Sequence, residues 1–235
     1  MKRASLLALA VIAALALPAA GAGAQRRPAP AAAARDWTRT VVATPDGVRI
    51  GNPNAPVKVI EYFSLACSHC AAFAAESNAS LDRNYIRSGR VSLEYRTIII
   101  NGPDVAAALL VRCAAPRASV DMSRTLMATQ AQWLGRAGSL TAAQQAEMRP
   151  MSGGARLVRL SQILGLDRVA ARYGMTPAAQ RTCLASPRNL ARLEALQASA
   201  NAQYHVTGTP TFVINGRVIE DTNNWAGIEP LLRGR

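Results

Sequence analysis

Cysteine and histidine are scarce in this 235-residue chain, with four of the first and two of the second. A structural zinc site takes four ligands, commonly from two paired motifs. One pair, Cys67 and Cys70, is present, whereas Cys113, Cys183 and His205 are scattered far from it and make no second pair. No metal is therefore expected, and no cofactor. Lysine is nearly absent too, since 25 of the 27 basic residues are arginine. The arginines are spread along the whole chain, with neither a basic cluster nor a zinc-finger or RNA-binding motif, so the formal net charge of +13 is not read as nucleic-acid binding. Its physical consequence is solubility and some attraction to anionic surfaces. Long apolar runs are missing beyond the N-terminus, where a spanning helix would need roughly 20 residues. No cysteine precedes Cys67, which excludes a lipid-modified N-terminal cysteine.

The N-terminus itself carries a targeting pattern. Lys2 and Arg3 give a positive start, residues 5–17 are apolar, and Ala22-Gly23-Ala24 offers a small-x-small cleavage site. Residues 1–24 are expected to be a signal peptide, cleaved after Ala24, which sends a soluble protein to an oxidising compartment such as the periplasm. Residues 25–36, rich in Ala, Pro and Arg, are expected to be a loose tail.

Residues 39–43 and 48–50 flank Pro45-Asp46-Gly47 and predict an opening hairpin. After a loop at 51–56, residues 57–63 read as a buried strand, being short, β-branched and aromatic. A helix is predicted from Cys67 or Ser68 to about Arg87, then a strand over 91–100. That order implies a right-handed crossover and a parallel strand pair. From 104 to 206 nothing reads as strand. Helix starts punctuate it at Thr141 with Gln144, at Thr176 before Pro177 and at Ser186 before Pro187, giving five or six helices. Residues 211–214 and 218–220 then flank Asn215-Gly216, a tight hairpin turn, and a last helix covers 225–232. The fold class is thus α/β: a small domain in two halves, 37–103 and 207–235, interrupted by a large helical insertion over 104–206.

Cys67-Ser68-His69-Cys70 falls where a strand hands over to a helix. Two cysteines three apart at a helix start bring their sulfurs within bonding range, the first exposed and the second tucked beneath it. The unpaired N–H groups and positive dipole end of the helix stabilise a thiolate on Cys67. The thiolate is the attacking species in disulfide exchange, so the site suits that chemistry. His69, if protonated or donating a hydrogen bond, adds to the same effect, and Ser68 can cap the helix. A purely structural bridge across so short a loop would add little stability. Glu61 is a charged residue in an otherwise apolar strand, and burying an unpaired carboxylate is expensive. It either faces solvent at a strand edge or serves the cysteines. Pro210 opens a strand and by itself indicates only a loop. Cys113 and Cys183, on candidate helices 105–115 and 176–184, are expected to form a structural disulfide, the alternative being two buried thiols.

The segment 51–70 resembles the strand, active site and helix of the DsbA-like branch of the thioredoxin superfamily. Gly208-Thr209-Pro210-Thr211-Phe212 is similar to the loop in which that superfamily keeps a cis-proline beside its catalytic cysteines. The resemblance extends from about residue 37 to 235 and implies a thioredoxin-like fold with an inserted helical domain. It implies that Cys67 is the nucleophile, Cys70 the resolving cysteine and Glu61 a buried carboxylate that accepts or passes a proton for Cys70. It also implies a cis Thr209-Pro210 bond, with the Thr209 backbone free to pair with a substrate peptide as an added strand. The implied activity is a dithiol oxidase, monomeric, acting on reduced exported polypeptides and re-oxidised by a membrane redox partner. Ser68, where strongly oxidising members more often carry Pro, and Thr209, more usual in isomerase-type relatives, leave an isomerase or reductase open. From another class, a chaperone-like peptide binder would keep suppressing aggregation as Cys67→Ser, whereas an oxidoreductase would lose turnover.

Overall fold

The computed structural model describes residues 35–233. The expected signal segment 1–24 and all but the end of the expected tail 25–36 lie outside the described residues. Asp36 caps a single 3-10 turn, Trp37–Arg39, by accepting the Thr38 N–H at 3.1 Å.

Six strands make one mixed sheet: β1 (Val41–Ala43), β2 (Val48–Gly51), β3 (Val57–Phe63), β4 (Val91–Thr97), β5 (Thr211–Ile214) and β6 (Arg217–Ile219). Their spatial order is β1-β2-β4-β3-β5-β6. β3 and β4 run parallel, and every other neighbouring pair is antiparallel. A parallel pair needs a crossover, supplied here by α1 (Ser68–Ser80) and the π-helical turn Leu81–Ile86 that continues it. Successive side chains of β3 alternate across the sheet. Val59 and Phe63 join the main core, while Tyr62 meets Ile98, Ala200 and Val213 on the opposite face. Covering on both faces buries residues 61–63 without a break, while Lys58 near the start of the strand stays exposed. It also places Glu61, between Val59 and Phe63 in the alternation, beneath α1.

The buried stripe of α1 is Cys70, Phe73, Ala74 and Ser77, a helical spacing of three and four. Phe73 packs on Phe212 with ring centroids 4.5 Å apart, a burial that contributes about 2–3 kcal/mol for such a side chain. β4 stops at Thr97, short of the expected residue 100, because the backbone is diverted to other partners. Ile99 N donates to the Gln197 side chain and Ile100 N to Asp104 Oδ2.

Between β4 and β5 lie eight helices among the described residues, not five or six: α2 (Gly102–Cys113), α3 (Pro116–Ala128), α4 (Gln130–Gly138), α5 (Ala142–Met148), α6 (Gly153–Leu164), α7 (Leu166–Arg172), α8 (Pro177–Leu184) and α9 (Pro187–Tyr204). The undercount arises at junctions of one residue, Thr129 between α3 and α4 and Gly165 between α6 and α7. Thr129 carries none of the usual stop chemistry. The predicted starts are present: Thr141 and Gln144 form a reciprocal capping box, and Thr176 and Ser186 accept the N–H groups of Ala179 and Asn189. His205, assigned no role from sequence, closes α9 in the left-handed region at φ 51°. Asn215 and Gly216 turn the last hairpin at φ 50° and 81°. Asn215 also pins that turn to β3, accepting from Lys58 N at 2.8 Å. The chain ends on α10 (Trp225–Leu232), whose Trp225 ring packs edge-on against Phe73 and Tyr85. One continuous core holds residues of the sheet, of α1 and of the insertion, among them Phe63, Phe73 and Leu126.

Candidate active site

β3 ends at Phe63, and residues 64–67 turn the chain into α1. Cys67 is the N-cap of that helix with extended backbone (φ −84°, ψ 121°), and Ser68 is its first helical residue. Ser68 therefore does not cap the helix, since the cap position belongs to the cysteine before it. Cys67 is 9% exposed and Cys70 fully buried, so the first sulfur is the outer of the two but is far from open. The cover includes the 208–210 loop: the Thr209-Pro210 peptide is cis, and the Cys67 thiol donates to the Thr209 carbonyl oxygen at 3.1 Å.

Two sulfurs of one chemistry are driven apart by their surroundings. Cys67 falls from the usual thiol range to about 5. The largest cause is the hydrogen bond from the Cys70 thiol, followed, against the opposing effect of burial, by the Thr209 side chain and the backbone N–H groups of Cys70 and His69. Both N–H groups belong to the first turn of α1, although neither makes a full cap hydrogen bond to the sulfur. The Thr209 carbonyl, which can only accept, favours the thiol, but the donors outnumber it. His69 contributes its backbone and not its ring, because its side chain is exposed and forms no hydrogen bond among the described residues. Cys70 is pushed far upward, first by donating to Cys67, then by burial and the nearby Glu61 charge.

Glu61 is 2% exposed on an inner strand, which removes the solvent-facing alternative, and its Oε1 has no hydrogen-bond partner. Burial raises it to about 8, against a smaller pull from Arg124. At neutral pH this carboxyl is mostly protonated, and where it ionises its charge acts on Cys70. Around it lie groups that sequence reasoning passed over. Tyr95, the β4 neighbour of Glu61, is pushed up to about 12 by burial. Arg124 on α3 forms a bidentate pair with Asp82 at 2.6 and 2.9 Å and reaches Tyr95.

The turn at 64–67 is held on both sides by the insertion. Fully buried Asp104 of α2 accepts from Ser64 Oγ at 2.6 Å and from Ile100 N at 3.1 Å, and burial lifts it to about 6. Gln130, the first residue of α4, donates from its amide nitrogen to the carbonyls of Leu65 at 2.8 Å and Cys67 at 2.9 Å. No local pattern marks either residue: Asp104 reads as an acidic group in a helix's first turn, Gln130 as one polar residue among many.

Cys113 and Cys183 stand apart from this cluster. Cys113 ends α2, Cys183 lies in α8, and their sulfurs are bonded at 2.02 Å.

A family profile described as Thioredoxin matches residues 43–233. The structure superposes on a protein-disulfide isomerase from Novosphingobium aromaticivorans with a TM-score of 0.72 at 28% identity, covering 79% of this chain and 97% of that one. Wolbachia pipientis alpha-DsbA1 shares the fold, with a TM-score of 0.64 at 19% identity over 81% of this chain and 91% of that one. A Rickettsia typhi protein named "Putative protein-disulfide oxidoreductase" is 36% identical over 64 residues, 27% of this chain. That match spans 24% of the relative's own length.

Proposed function

This chain belongs to the thioredoxin family, and from that premise we propose that it is an exported thiol-disulfide oxidoreductase that introduces disulfides into reduced periplasmic polypeptides through Cys67 and Cys70. The observation that carries the reading is the separation of the two sulfurs: an outer cysteine held as thiolate near 5 beside a buried cysteine held as thiol.

In the oxidised protein a substrate thiolate attacks Cys67 Sγ, forms a mixed disulfide with it and breaks the bond to Cys70. Cys70 leaves with the electron pair and takes a proton, for which the protonated Glu61 carboxyl is the nearby donor. A second substrate thiolate then attacks the substrate sulfur of the mixed disulfide, and Cys67 departs as a thiolate. A low thiol pKa makes Cys67 a good leaving group, which favours release of oxidised substrate. Two electrons have passed to the cysteine pair, and a membrane redox partner takes them back to restore the disulfide. The Thr209 backbone, next to exposed Gly208, lines up an incoming peptide as an added strand.

Equilibration with glutathione redox buffers tests this. Stabilisation of the thiolate from the working pH of 7 down to about 5 is worth roughly 60 mV for a two-electron couple, so a potential well above the thioredoxin value of about −270 mV is expected. A potential at the thioredoxin value, with Cys67 titrating near 8, moves the protein to the reductase side. An isomerase on the same site is favoured by Thr209 and by the name of the Novosphingobium relative. It would rearrange a scrambled multi-disulfide substrate faster than it oxidises a reduced one.

A further inference from the structure

The turn that carries Cys67 has polar groups that the sheet cannot satisfy. Leu65 is fully buried, and its carbonyl lies past the last paired residue of β3. Cys67 O begins the helical ladder by accepting from Ala71 N at 3.1 Å and retains a second lone pair. A buried carbonyl left unpaired is costly, so the Leu65 oxygen needs a donor from elsewhere, and the Cys67 oxygen has room for a second one. It comes from the insertion, 63 and 65 residues further along the chain, where both hydrogens of the Gln130 amide nitrogen are used on them. The donors of the turn are held on the other side: Ala66 N donates to Ser64 Oγ at 3.0 Å, which itself donates to Asp104.

We propose that Gln130 is a positioning residue for disulfide exchange: by gripping the Leu65 and Cys67 carbonyls it fixes the peptide planes on either side of the nucleophile and makes the inserted domain part of the active site. This deepens the oxidoreductase reading and rests on it. The Cys67 carbonyl orientation sets the backbone angle that keeps Sγ beside the N–H groups of His69 and Cys70. Freed from the amide, the peptide plane can rotate, carrying the sulfur off those donors, and its carbonyl dipole is no longer neutralised near the thiolate. Asp104 acts on the same turn from the opposite side, so the loss of either grip leaves the other in place and the helix intact.

The test uses the full chain as Gln130→Met, which keeps the length and removes the donors, and as Gln130→Asn, which keeps the amide and loses the reach. Thiolate absorbance is followed against pH, and the glutathione equilibrium constant is measured. A net hydrogen bond of ordinary strength predicts that Cys67 becomes a weaker acid by about threefold to tenfold, with a matching fall in oxidising power and little change in far-UV circular dichroism. Wild-type titration and equilibrium constant in the folded variants overturn the proposal; should Gln130→Met not fold, Gln130→Asn decides it alone. The comparison is between variant and parent. A parent that titrates near 8 but shifts on losing Gln130 sinks the oxidase reading and leaves the positioning role standing.

Discussion

Glu61 and Tyr95 are register partners on parallel strands β3 and β4, so a carboxyl and a phenol share the buried face beneath the active-site helix. Burial holds both in their neutral forms, raising Glu61 to about 8 and Tyr95 to about 12. In the proposed exchange the protonated carboxyl gives its proton when Cys70 is expelled, and the carboxylate left behind takes one back when Cys70 must attack.

Glu61 should make the fold pH-sensitive. Its folded value lies above its unfolded value of 4.5, so its contribution is fully present below 4.5 and is lost as the pH rises through about 8. Between these limits the parent should lose about 1.4 kcal/mol per pH unit relative to Glu61→Gln, which has no charge to bury. Urea unfolding of the oxidised forms at pH 5, 6, 7 and 8 reads the gap, and a gap independent of pH would falsify the assignment. The same substitution should slow resolution of a mixed disulfide by Cys70 by at least about tenfold near neutrality.

Cys67 predicts the opposite slope for the reduced protein. Its folded value lies below the unfolded one, so its contribution is present above the unfolded value of 9 and is lost as the pH falls through about 5. At pH 7 two units of this remain, about 3 kcal/mol, which should make the reduced form the more stable one. Thermal unfolding of both redox forms from pH 4 to 8 checks it. The advantage of the reduced form should shrink steadily toward pH 5.

Arg124→Met should destabilise the protein by about 2–3 kcal/mol, because it strands the half-buried Asp82 carboxylate that Arg124 holds at 2.6 and 2.9 Å. Arg124 also lowers Glu61, so its loss should drive the Glu61 titration further up. Denaturant unfolding gives the first effect and carboxyl-labelled NMR the second. A Glu61 titration unchanged from the parent's in the folded variant would show that the two groups are uncoupled.

The Cys113 to Cys183 bond ties α2 to α8 across 70 residues. Replacing both by Ala should remove up to about 4 kcal/mol in the loop-entropy account, with Cys67 titrating as before. Alkylation of the denatured, unreduced protein should leave both residues unmodified, and labelling of Cys113 while Cys67 is oxidised speaks against the bridge.

Where the determining interactions are short in range, the sequence alone was legible. A short β-branched and aromatic run marks β3, capping chemistry marks the starts of α5, α8 and α9, and Asn215-Gly216 marks its turn, because each signal lies within a few residues. Cys67 and Cys70 at a strand-to-helix junction were readable for the same reason, and Glu61 stood out because a carboxylate in an apolar strand is costly wherever it points. Only the tertiary structure decided what surrounds them. It brought Thr209 to Cys67 across 142 residues and Gln130 to Cys67 across 63, and it set Arg124 on Asp82 across 42. It also covered Cys67, which local pattern had left exposed, and placed Ser68 and the His69 ring outside the roles their types suggested. A side chain's type states which hydrogen bonds it can make, whereas its partner is chosen by packing over the whole chain. For that reason the reacting pair and Glu61 were visible in the sequence, whereas Gln130, Asp104 and Arg124 were not.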